Sequence, residues 1–131
     1  MHWAAKYVGV PYTIGGDELS GADCWGLVRL VLRAERRIEM PALAIGQAGN
    51  DSALRRCFSG WSAADMRRLH EFDIVTMRNP FGHHVGIVAM ADDFGAMILH
   101  CDEPASSVIR LSMMKICGYK DFRAWRYNAN R

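Results

Sequence analysis

The period of the apolar residues changes part-way along the chain, and that change limits the fold more than any other feature of the sequence. Between Ala22 and Arg36, Leu27, Leu30, Val31 and Ala34 recur at helical spacing, which predicts an amphipathic helix with Arg33, Arg36 and Arg37 at its C-terminal end. Gly15-Gly16 and Gly21 mark a turn-rich entry, and Ser20 or Asp23 can cap the first turn. Two shorter helices are expected, near Met1 to Val8 and within Asp51 to His70, the second interrupted around Ser59-Gly60. From Phe72 onward short β-rich runs take over: Asp73–Met77, His84–Ala91, Ala96–His100, Val108–Leu111 and Phe122–Tyr127. Asn79-Pro80-Phe81-Gly82, Asp92-Asp93-Phe94-Gly95 and Asp102-Glu103-Pro104 are connections short enough for antiparallel neighbours. Helices first and strands second predict an α+β domain with helices packed against an antiparallel sheet.

The chain has 131 residues, 50% hydrophobic and 23% charged, a length and composition that support one core. No repeat, low-complexity stretch or Ser/Pro-rich linker divides it. A formal charge of +2 is too small for the electrostatic footprint of a nucleic-acid binder. No apolar run approaches the ~20 residues needed to span a bilayer, so membrane insertion is not expected. Met1-His2-Trp3-Ala4-Ala5-Lys6 lacks a basic segment followed by an apolar signal core, and the expectation is synthesis in the cytoplasm without a signal peptide. Cys24, Cys57, Cys101 and Cys117 include no Cys-x-x-Cys pair, which favours free thiols over a disulfide framework or a structural zinc site.

Three places carry candidate chemistry. Cys24 stands at the mouth of the predicted helix, where unpaired N–H groups and the positive end of the helix dipole favour a thiolate and can receive an oxyanion. A cysteine beside Trp25 and Leu27 is also a small buried hydrophobe, and position alone leaves both roles open. His83-His84 opens a predicted strand. Side-chain alternation places His84 with Gly86 and Val88, while His83 precedes them in the turn. His100 ends the next strand, so antiparallel pairing can bring it beside His84; the alternatives are a solvated edge residue for His84 and an unrelated structural histidine for His100. Nucleophile, base and orienting group would then converge as cysteine acyl transfer requires. A metal site from His83, His84, His100 and Cys101 is the weakest reading. Asp92-Asp93 and Asp102-Glu103 read as loop-solvating pairs, and Arg55-Arg56 and Arg67-Arg68 as solvated helix faces.

Val10-Pro11-Tyr12-Thr13-Ile14-Gly15-Gly16, Asp23-Cys24-Trp25-Gly26-Leu27-Val28, His84-Val85-Gly86-Ile87-Val88 and Ile98-Leu99-His100 resemble, in order and spacing, the motifs of NlpC-type cell-wall peptidases. The resemblance spans Tyr7 to Tyr127. It implies a papain-like α+β fold, with N-terminal helices against an antiparallel sheet of five or six strands. It further implies that Cys24 is the nucleophile, His84 the base and His100 the residue orienting His84. Tyr12 would lie near the oxyanion or substrate. Asp23 would cap the helix or bind a peptide amine, and His83 is a further candidate for substrate contact in the groove. The implied reaction is hydrolysis of an amide bond in the peptidoglycan stem peptide, usually between the side-chain carboxyl of D-glutamate and the diamino acid, with no cofactor. Trp25 stands where many members have Ser, a variant similar to the stand-alone domains of bacteriophage tails. It would alter the substrate floor and implies phage tail proteins as partners and delivery to the wall within a virion. A non-catalytic tail module, or an amidase or acyltransferase using the same residues, remains open.

Overall fold

A computed structural model describes residues 2–43 and 56–128. A 3-10 helix, Trp3–Tyr7, leads into a two-residue ribbon of β1 (Asp17–Glu18) and β2 (Gly21–Ala22), and then into helix α1 (Cys24–Val31). After it come β3 (Trp61–Ala64), β4 (Ile74–Asn79), β5 (Gly82–Asp92), β6 (Gly95–Cys101), β7 (Ser106–Arg110), helix α2 (Leu111–Ile116) and β8 (Lys120–Tyr127). The last six strands make one sheet in the order β3-β8-β4-β5-β6-β7, antiparallel throughout.

The five strands expected from period-two patterning all form, and their hairpin turns follow from local chemistry. Asn79 Oδ1 accepts from the Phe81 N–H at 2.9 Å, and Asp92 Oδ1 accepts from the Phe94 N–H at 2.8 Å, each closing an Asx-type turn. Gly82 and Gly95 follow at φ of 138° and 111°, values that a residue with a Cβ rarely adopts.

Alternation along β5 divides the core. Val85, Ile87 and Ala89 face α1 with Ile74 and Leu99, in a cluster that also holds Leu27, Val28 and Val31. Val75, Met77, Val88 and Ile98 pack on the opposite face with Ala124 and Met114 of α2. Among the described residues, no helix is long and apolar enough to cross a membrane.

Three elements differ from expectation. The helix predicted to Arg36 leaves α-geometry after Val31, continues as a π-helical turn over Leu32–Arg36 and ends where Arg37 takes a left-handed φ of 55°. Part of the helix expected within Asp51 to His70 lies outside the described residues. Trp61–Ala64 within it is a strand, because Trp61 pairs with Tyr127 and its ring packs edge-on against that same distant residue. The strand expected to reach Leu111 stops at Arg110. Leu111–Ile116 is helical, with Met114 buried against the sheet.

Candidate active site

Cys24 is the first residue of α1, and the chain before it is held by backbone pairing from two sides. The Ala22 N–H donates to Pro11 O, the Thr13 N–H to Ala22 O and the Tyr12 N–H to Pro104 O, each at 3.0 Å. This lays the Pro11–Thr13 segment alongside the helix entry and brings Tyr12 to the same cavity as Cys24. Asp23 caps α1: its Oδ1 accepts from the Gly26 N–H at 2.7 Å and its Oδ2 from the Gly15 N–H at 2.9 Å. Both carboxylate oxygens therefore accept from the backbone, which makes Asp23 the cap of α1.

The Cys24 thiol is buried against β5, where backbone N–H groups of Val85 and Trp25 reach its sulfur. Those N–H groups favour the thiolate, but burial and then the Asp23 charge outweigh them and push the thiol up to about 12. Placement at the helix N-terminus led to the opposite expectation. Desolvation wins because the sulfur faces the interior between α1 and β5.

His84 and His100 come together as the strand register requires. His100 lies opposite Gly86 across β5 and β6, one alternation from His84, and His84 Nε2 stands 2.9 Å from His100 Nδ1 with the rings nearly perpendicular. Gly86 makes room for this approach, since a Cβ there would lie 2.6 Å from Ile98 Cγ2 and 3.3 Å from His100 Cβ. Burial holds both imidazoles below their ordinary range, His84 further disfavoured as a cation by His100, while Asp102 pulls both back up. His100 Nε2 faces Ser107 Oγ at 3.5 Å, at the edge of hydrogen-bond range.

Two residues beside this pair were not singled out by the sequence. Tyr119, just before β8, places its ring 5.4 Å from that of His84 and 6.1 Å from that of His100, and its hydroxyl donates to Asp102 Oδ2 at 2.9 Å. Burial and the Asp102 carboxylate push the Tyr119 phenol up to about 12, so it remains a donor at neutral pH. Asp102, read as part of a solvated turn, is instead an acceptor next to the histidines. Its spacing of two residues from His100 was the available signal, because it returns the chain to the same side of a strand. Tyr119 had none.

Tyr12, Cys24, His83, His84, Asp102 and Tyr119 all line one cavity of about 700 Å³. Trp25 does not. It is 2% exposed, its Nε1–H donates to Pro41 O at 2.9 Å and its ring packs edge-on against Phe58. Trp25 is therefore a core residue and not a substrate floor, because its position on α1 turns it inward. Cys101 is also withdrawn from the site, its thiol directed at Ala22 O and Val10 O at 3.1 and 3.7 Å. Among the described residues, no three His, Cys, Asp or Glu side chains are arranged to hold a metal ion.

The model of the NlpC/P60 family matches residues 9–116. The chain belongs to the NlpC/P60 family. It is similar to a probable endopeptidase of Haemophilus influenzae, at 28% identity over 89 residues, covering 68% of this chain and 51% of the relative. The chain thus spans about half the length of that curated relative. Among solved structures it is similar to the NlpC/p60 domain of the peptidoglycan hydrolase SagA, with a TM-score of 0.61, 22% identity and coverage of 92% of this chain and 90% of that one. That likeness establishes the papain-like α+β fold, with the six-stranded antiparallel sheet and a short helix bearing Cys24.

Proposed function

We propose that this NlpC/P60 domain is a cysteine peptidase that hydrolyses an amide bond in the stem peptide of bacterial peptidoglycan, between the side-chain carboxyl of D-glutamate and the diamino acid. The observation that carries this reading is the 2.9 Å contact of His100 Nδ1 with Nε2 of His84, the histidine that lines the same cavity as Cys24. With Nε2 engaged, Nδ1 of His84 is the nitrogen left to take the proton of Cys24. For that, the ring proton of neutral His84 sits on Nε2 and is donated to His100 Nδ1. His100 then carries its own proton on Nε2, toward Ser107.

Both partners start neutral, since burial raises the thiol and lowers the imidazole. Proton transfer from Sγ to His84 accordingly accompanies attack of sulfur on the scissile carbonyl. The C–S bond forms, the carbonyl becomes an oxyanion, and His84 then gives the proton to the leaving amine as the C–N bond breaks. Water, activated by the same imidazole, hydrolyses the thioester and restores Cys24. In the first turn of α1 the Gly26 and Leu27 N–H groups are taken by Asp23 and that of Trp25 faces the thiol, so the Cys24 N–H, with the Tyr12 hydroxyl in the same cavity, would receive the developing oxyanion. Tyr12 remains a neutral phenol for this task, because burial and the nearby Cys24 raise its ionisation.

Delivery to the wall by a bacteriophage tail rests on the likeness of Cys24-Trp25 to tail-borne domains, and proteomic detection of the chain in purified virions tests it. For the reaction, purified muropeptides are digested and the products weighed. Wild type should release fragments cut at the D-glutamyl bond and Cys24→Ala none. Identical digests from the two proteins would overturn the reading.

A further inference from the structure

The sheet face that α1 covers as far as Val85 continues past the helix as a row of basic side chains. Arg78 on β4 lies directly opposite His83 on β5, and Arg123 on β8 lies opposite Thr76, two residues from Arg78 and hence on the same face. Together with Thr76 they line a second cavity of about 320 Å³, to which no described helix contributes. His83 lines both this cavity and the one holding Cys24, so the two are neighbours across a single side chain.

The guanidinium groups in this second cavity are available. Ion pairs of the described arginines involve Arg29, Arg33, Arg67, Arg110 and Arg126, while Arg78 and Arg123, both exposed, are in none. Asp121 also borders the cavity but pairs with neither. His84 and His100 alternate to the opposite face of the sheet, with Val88 and Ile98, so His83 at the start of β5 is the side chain that links the arginine cavity to the one lined by Cys24 and His84.

We infer that Arg78, Arg123 and His83 form a carboxylate-binding arm of the substrate groove, which takes a free carboxylate of the stem peptide next to the scissile bond. The inference rests on the reading proposed above. When D-glutamate is joined through its side-chain carboxyl, its α-carboxylate is free, and the diamino acid supplies others on the far side of the bond. Two planar guanidinium groups on adjacent strands suit bidentate pairing with such a group.

The test uses the Cys24→Ala protein, which holds substrate without turnover, and calorimetric titration with the stem tripeptide L-alanyl-γ-D-glutamyl-diaminopimelate. Parallel titrations use the peptide amidated at the D-glutamate α-carboxyl or at the diaminopimelate carboxyls. One amidation should weaken binding about tenfold, identifying the carboxylate bound. Adding Arg78→Gln and Arg123→Gln should weaken binding of the free acid by a similar factor and abolish discrimination against that amide. Arg78→Lys with Arg123→Lys should restore part of it. Both positions are exposed, so thermal midpoints should match the parent's and exclude a folding effect. Absence of binding by the parent, or the same acid-to-amide ratio in parent and Gln variant, overturns the inference. Failure of the proposed hydrolysis reads out separately, as intact stem peptide after incubation with the wild-type enzyme.

Discussion

His84 and His100 stand on adjacent antiparallel strands with Nε2 of one 2.9 Å from Nδ1 of the other, and both are buried. Two imidazoles at this distance cannot both be cations at modest cost, so one serves the other as a neutral hydrogen-bond acceptor. The division of labour between the two rings, His84 as base and His100 as acceptor, follows from that constraint.

His84→Ala removes the proton acceptor and should lower kcat by roughly 10²- to 10⁴-fold, the usual span for a positioned general base. His100→Asn keeps an acceptor for the Nε2–H of His84 and should lose less than His100→Ala, which leaves that tautomer unsupported. Steady-state kinetics on one muropeptide checks the order. Equal losses in the two His100 variants would remove its orienting role.

Burial favours the neutral thiol at Cys24, so alkylation of the free enzyme by iodoacetamide should rise only above the ~8.5 of an ordinary thiol. Cys117, which is exposed, should label first across neutral pH. Peptide mapping after timed alkylation reads both rates, and rapid labelling of Cys24 near pH 6 would indicate a resting ion pair instead.

The same burial links the histidines to stability. Both have folded-state pKa values below the unfolded 6.5, so the unfolded chain binds protons first as pH falls. The stability tied to their neutral forms is complete above about pH 6.5 and declines toward their folded values, by about 1.4 kcal/mol for each unit of depression. Thermal midpoints should therefore drop between pH 7 and pH 5. The His84→Gln/His100→Gln variant should show a smaller drop, measured by calorimetry. The acid limb of wild-type activity should likewise lie below 6.5. Asp102→Asn, which removes the charge that raises both imidazoles, should move it lower still.

Trp25→Ser installs the residue that the resembling sequences more often carry. Because Trp25 is buried and hydrogen-bonded to Pro41, the change should cost roughly 3–5 kcal/mol, as for large-to-small core truncations, while KM of the folded fraction stays close to wild type. Urea unfolding and initial rates separate the two effects.

The fold was legible in the sequence wherever short-range periodicity and turn chemistry decide structure. The helix opening at Cys24 and its Asp23 cap follow from such local signals, as do the Asn79–Gly82 and Asp92–Gly95 turns and the strand alternation placing His84 with Gly86. Strand register even brought His100 to His84, since antiparallel hairpins convert a sequence interval into a cross-strand neighbour. Trp61–Ala64 escaped this reading because its strand character comes from its pairing with β8, far along the chain. Only the tertiary structure turned Trp25 inward, drew Tyr119 onto Asp102 across the site, and set the burial that holds the Cys24 thiol and the two imidazoles neutral. Spacing along one element fixes which side a residue faces, whereas burial and charge depend on what distant segments bring against that side.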